Sequence, residues 1–112
     1  MDFKEFAENL EIREDEFLDL LMLFLKKSAS NLEKLKSTIM NGDAVTASET
    51  AHSIKGTAIT LRLTEIFELA KEMETKAQGG QLKGLDHMVG AIQEKLDKIS
   101  EEVIRVRGSA SD

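Results

Sequence analysis

Leu85, Met88, Val89, Ile92, Leu96, Ile99, Val103 and Val106 recur at three- and four-residue intervals. This is the spacing of one face of an α-helix, and it is held for about six turns. A stripe of that length has to be buried against other helices, since an apolar face left in water gains nothing from forming. The 112 residues include no proline, so no helix need be broken by a ring that removes a backbone donor. Strand-type alternation and internal repeats are absent from the pattern. The length fits one domain with a modest core, spanning 1–112.

The preceding segments supply the surfaces that the stripe needs. Residues 2–10 can form a short amphipathic helix with Phe3, Phe6 and Leu10 on one side, too short to be stable alone in water. Over 13–40, Phe17, Leu20, Leu21, Phe24, Ser28, Leu32, Leu35 and Ile39 make the main core stripe, and Leu18, Met22 and Leu25 add a second stripe in the first half. Apolar surface on two sides calls for cover on two sides, so the N-terminal segment is expected to act as a lid over the second stripe. The alternatives are that part of this patch stays open for a partner or meets a second copy of the chain. Asn41-Gly42-Asp43 stops one helix and caps the next, which runs over 44–61. Arg62 and Leu63 connect it to a helix over 65–78 with Thr64 as N-cap and Ile66, Leu69, Ala70, Met73 and Ala77 at helical spacing. Gly79-Gly80 ends that helix, and residues 108–112 form a polar, frayed tail after the last one. The expected fold is all-α: an antiparallel up-and-down four-helix bundle with a short N-terminal lid over 1–12.

Charge and composition exclude several functions. A net charge of −6 disfavours nucleic acid or an anionic membrane surface as the main partner. Tyrosine and tryptophan are absent, which leaves little for stacking on bases. With no cysteine there is neither a disulfide framework nor a thiol nucleophile, in keeping with a reducing cytoplasm. The apolar runs are too short to span a bilayer and the first residues are acidic, so neither a transmembrane segment nor a secretory signal is expected.

The candidate chemistry lies in the third helix. Ala51, Ile54, Ala58 and Leu61 mark its buried face, and at ~100° per residue His52 falls roughly 130° from the centre of that face, in solvent. Lys55 lies one turn along, and Gly56 occupies the four-residue neighbour position where a side chain would crowd the imidazole. Glycine inside a helix costs about 1 kcal/mol against alanine, and access for another macromolecule to the ring is the proposed reason. An exposed imidazole is mostly unprotonated at neutral pH and can act as a nucleophile. Val45 two turns before His52 and Ile59 two turns after share its side of the helix. With Ser48 and Glu49 they form the expected partner-docking face, the plainer alternative being partial burial of Val45 and Ile59 against a neighbouring helix or the lid.

Ala51-His52-Ser53-Ile54-Lys55-Gly56-Thr57-Ala58, followed by Leu61, resembles the Ala-His-x-Leu-Lys-Gly-x-Ala pattern of the histidine-containing phosphotransfer (HPt) domain family. Leu69-Ala70-x-x-Met73-Glu74-x-x-Ala77 is similar to the Leu-Ala-x-x-Leu-Glu-x-x-Ala run of that family's next helix. The likeness is strongest over 47–77. One departure stands out: where the family commonly has glycine after the apolar residue that ends the histidine helix, this chain has Arg62. The resemblance implies a cytoplasmic phosphorelay intermediate in two-component signal transduction, a phosphoprotein in which His52 is the phosphoacceptor. Lys55 would attract the phosphoryl oxygens and Gly56 would give access. The donor or acceptor aspartate and its magnesium would come from a receiver domain, so the chain would be a phosphoryl carrier without a cofactor of its own rather than an autonomous enzyme. A monomer is expected, with receiver domains of response regulators or hybrid kinases as partners, and neither nucleic acid nor membrane.

Three other readings compete. The same histidine could belong to the kinase-linked phosphoacceptor domain of a chemotaxis-type kinase, or the chain could be a helical adaptor. Glu49-x-x-His52 also has the Glu-x-x-His spacing of di-iron bundles, but His87, the other histidine, has Gly84 three residues before it, so a second such motif is lacking. Glu49 can instead sit beside the imidazole and accept its hydrogen bond, or be a solvated helix charge. His87 is expected to be exposed and without a role.

Overall fold

The computed structural model describes residues 1–111. Every element is helical: α1 Phe3–Asn9, α2 Glu14–Met40, α3 Ala44–Thr60, α4 Thr64–Gln78 and α5 Leu85–Ser111, with no strand among the described residues. α2 lies beside α3 and α5, α4 lies beside the same two, and α1 packs on α2. The result is a helical bundle 47 Å long, close to the ~40 Å that a 27-residue helix such as α5 spans.

The turns are built by residues whose chemistry suits them. The Asp43 side chain accepts from the backbone N–H of Thr46 at 3.1 Å and so caps α3. Thr46, through its hydroxyl first and its backbone N–H second, holds the Asp43 carboxyl below its usual range. Gly42, Gly80 and Gly84 all sit at positive φ, where a Cβ would be strained. Arg62 takes φ 63° between α3 and α4, so the connection keeps the left-handed conformation that glycine relieves and carries it with a side chain. Thr64 is the first residue of α4 and Leu63 occupies the N-cap position without a side-chain hydrogen bond, which corrects the expectation that Thr64 caps. α5 remains helical through Ser111, past Gly108 where a frayed tail was expected; Asp112 lies outside the described residues.

Most of the predicted stripes are buried. Phe17, Leu21, Phe24, Ser28, Leu32 and Leu35 of α2 meet Ala47, Ala51, Ile54 and Ala58 of α3, Ile66, Ala70, Met73 and Ala77 of α4, and Leu85, Val89, Ile92, Leu96 and Val103 of α5 in one core. Val106 is exposed at the end of its stripe. On α2, Leu20 is 45% exposed and does not belong to the core. It lies ~100° around the helix from Leu21, and Thr38 is buried at the other end of α2, its hydroxyl donating to the Leu35 carbonyl at 3.0 Å.

α1 covers less than expected. The Asp2 side chain caps it by accepting from Glu5 N–H at 3.0 Å. Phe3 and Ala7 are buried, and the rings of Phe3 and Phe6 lie 6.3 and 5.7 Å from that of Phe17. The contact is thus with the main stripe, together with Leu18, while Met22 stays exposed. Seven helical residues reach only ~10 Å, enough for the first turns of α2 and no more. The amine of Met1 ties this end to α5 by pairing with Glu102 at 2.9 Å.

Candidate functional site

α3 and α4 pack closely because both offer alanine where they meet: Ala47, Ala51 and Ala58 on one, Ala70 and Ala77 on the other, all buried. Small side chains let helix axes approach, and this brings Glu74 of α4 within reach of the outward side of α3. Its carboxylate is the centre of the site. Glu74 Oε2 lies 2.6 Å from His52 Nδ1 and Glu74 Oε1 accepts from Lys55 Nζ at 2.6 Å. The Glu74 side chain is only 11% exposed, that of Lys55 a quarter exposed, and that of His52 66% exposed.

The Lys55 ammonium holds the Glu74 carboxyl below its usual range, and the hydrogen bond from His52 adds to this while burial opposes it. An ionised carboxylate can only accept, so the imidazole proton belongs on Nδ1 and the lone pair on Nε2. A glutamate buried to this degree would be costly if unpaired; two charge-assisted bonds satisfy it. The arrangement therefore fixes the ring's tautomer and orientation while most of its surface faces solvent.

The other sequence-selected residues divide cleanly. On the histidine side of α3, Val45 is 70% exposed and stands largely in solvent, while Ile59, at 37%, is partly covered. Ser48 is half-buried and Glu49 exposed on the same helix. Of the two readings of Glu49, the solvated helix charge holds, and the imidazole's partner comes from α4, 22 residues away in sequence. A Cβ added to Gly56 meets no atom within 4 Å, so close helix packing does not account for that glycine. His87 is exposed on α5. No group of three or more His, Asp or Glu able to hold a metal occurs among the described residues.

Glu74 is the residue that periodicity alone misses, because its helical phase next to Met73 reads as core. The signal was present in the Met73-Glu74-x-x-Ala77 run, where a carboxylate interrupts an apolar face. A groove of about 430 Å³ opens elsewhere, among Met1, Phe6, Leu63, Thr64, Lys98 and Ile99, and the imidazole stands on an open helix surface suited to a macromolecule rather than a small ligand.

The family model of the Hpt domain matches residues 19–102, a span that contains α3, α4 and the His52–Glu74–Lys55 cluster. Comparison with curated proteins yields no match, and neither does comparison with solved structures. No helix among the described residues is long and apolar enough to cross a membrane. The match covers three quarters of the chain, which thus belongs to the Hpt domain family, helical bundles that work with receiver and kinase partners in the phosphotransfer of two-component signalling.

Proposed function

We propose that His52 is the phosphoacceptor of a cytoplasmic phosphorelay, taking a phosphoryl group from an aspartyl phosphate of one receiver domain and passing it to the aspartate of another. The observation that carries this reading is the 2.6 Å contact between Glu74 and Nδ1 of an otherwise exposed ring. With Nδ1 protonated and held, the Nε2 lone pair attacks phosphorus in line, the N–P bond forms, the P–O bond to the receiver aspartate breaks, and that carboxylate leaves with the bonding pair. The Nδ1 proton stays against Glu74, which stabilises the positive charge that develops on the ring. Onward transfer reverses these steps with a second carboxylate as nucleophile. Lys55, one turn from His52 and partly exposed, supplies charge near the phosphoryl oxygens; magnesium and the reacting aspartate belong to the receiver.

The docking face in this reading is the outer side of α3. Val45 and Ile59 give apolar contact, Ser48 and Glu49 polar contact, and Gly56 leaves room beside the ring. The bundle is taken as an antiparallel up-and-down arrangement of α2 to α5 with α1 as a lid at one end, which keeps the lid away from the histidine.

Incubation of the protein with a panel of phosphorylated receivers tests the proposal. Acid-labile, base-stable phosphate should appear on the wild type and be absent from His52→Gln with its helical content unchanged. Labelling by a kinase catalytic domain alone, with no receiver competent as donor, would move the chain to the kinase-linked class. Undiminished labelling of His52→Gln would remove His52 from the chemistry.

A further inference from the structure

Four side chains on the outer face of α2 form a stripe that is complementary to itself. Glu16, Leu20, Leu23 and Lys27 are spaced by four, three and four residues, which places them within an arc of about 60° along roughly 17 Å of helix. All four are exposed, Leu20 by 45% and Leu23 by 63%. α1 does not reach them, since its aromatic residues close on Phe17. Lys27 makes no ion pair among the described residues, and Glu16 uses Oε1 both to accept from the Arg13 backbone N–H at 3.1 Å and to pair with Arg13 Nε at 3.4 Å, which leaves its second oxygen available.

We infer that this stripe is the contact of an isologous dimer in which α2 helices of two copies pair antiparallel. A two-fold axis between Leu20 and Leu23 reverses the order acid, leucine, leucine, base. Glu16 of one copy then faces Lys27 of the other, twice, and each Leu20 faces a Leu23. The stripe is neutral although the chain carries −6, so the paired segments do not share the repulsion that acts between the two copies as wholes. A binder of unrelated sequence has no reason to match an order that is its own reverse complement, and a second copy matches it by construction. Four leucines and two rim ion pairs make a small interface, and the dimer is of the weak, transient class.

Sedimentation velocity on the full chain between about 10 µM and 1 mM measures it. Wild type is expected to shift from monomer to dimer over that range, and Leu23→Glu to remain monomeric with an unchanged melting temperature. Glu16→Lys and Lys27→Glu, each placing like charges opposite one another, should both weaken association at least about tenfold. Mixed in equal amounts, the two variants should recover a dimer, because each then offers the charge that the other lacks. This recovery is insensitive to any effect of Glu16 on the start of α2. A wild type that is monomeric at 1 mM overturns the inference, as does failure of the mixed variants to pair. It is also overturned if Leu23→Glu leaves self-association unchanged and instead loses binding to a phosphorylated receiver.

Discussion

Glu74 and His52, 22 residues apart in the chain, are joined by a 2.6 Å contact between Oε2 and Nδ1, and the same carboxylate takes Lys55 on its other oxygen. One buried group on α4 thus sets the orientation of both candidate functional side chains on α3. Its replacement by glutamine keeps the shape and an acceptor oxygen but loses the charge. A charged hydrogen bond of this kind is worth about 1.5–3 kcal/mol, so Glu74→Gln should lower the rate of phosphoryl transfer to His52 by about 10- to 100-fold. Single-turnover transfer from a phosphorylated receiver measures it, and ¹⁵N chemical shifts of the ring should show the tautomer becoming mixed. An unchanged rate would show that Glu74 only anchors the helices.

Gly56 separates stability from access. Its Cβ position is open, and alanine in a helix interior is favoured over glycine by about 1 kcal/mol. Gly56→Ala should therefore raise the melting temperature by about 4 °C while slowing transfer from a receiver. A bulkier Gly56→Leu should slow it further without unfolding the chain. Faster transfer in either variant would contradict a role in access.

The pH dependence of stability follows from the carboxylates. Glu74, Asp43 and Glu65 each have their carboxyl pKa lowered in the folded state, by Lys55, Thr46 and Lys95 respectively as the leading cause. Unfolding lets such groups take up protons, so their contribution is fully present above the unfolded value, 4.5 for a glutamate, and is lost as pH falls through the lower folded values. Urea midpoints measured from pH 7 down to pH 3 should stay level to about pH 5 and then fall. In Glu74→Gln the fall should be shallower.

Arg62 carries the left-handed backbone at φ 63°. A side chain in that conformation costs about 1 kcal/mol, and the residue is exposed. Arg62→Gly should stabilise the protein by roughly that amount, seen as a higher urea midpoint with an unchanged slope. A loss of stability would mean that the arginine side chain contributes more than its backbone costs.

Legibility from the sequence followed the strength of each local signal. The histidine helix was readable almost to the residue and α5 from its start to Val106, since both carry long one-face periodicity, and Asp43 announced the cap that it forms. Leu20, Met22 and Leu23 were harder, because the run from Leu18 to Leu25 contains one polar residue, Asp19, and periodicity cannot rank faces when every face is apolar. Which of them is buried depends on the reach of α1, a tertiary fact. Glu74 was hidden for the opposite reason: a carboxylate at a core phase gains its meaning only when a second helix brings two cations to it. The Thr64 cap failed by one position, since Arg62 at positive φ closes the turn early and leaves Leu63 at the N-cap, with Thr64 the first residue of α4.

The convex setting of the imidazole has one more consequence. A ring with no roof over it offers bulk water the same approach that it offers a partner, so the lifetime of any group stored there is set by the phosphorus–nitrogen bond and not by shielding. If His52 is the phosphoacceptor as proposed, discrimination among phosphodonors would reside largely in the partner that sits across this ridge.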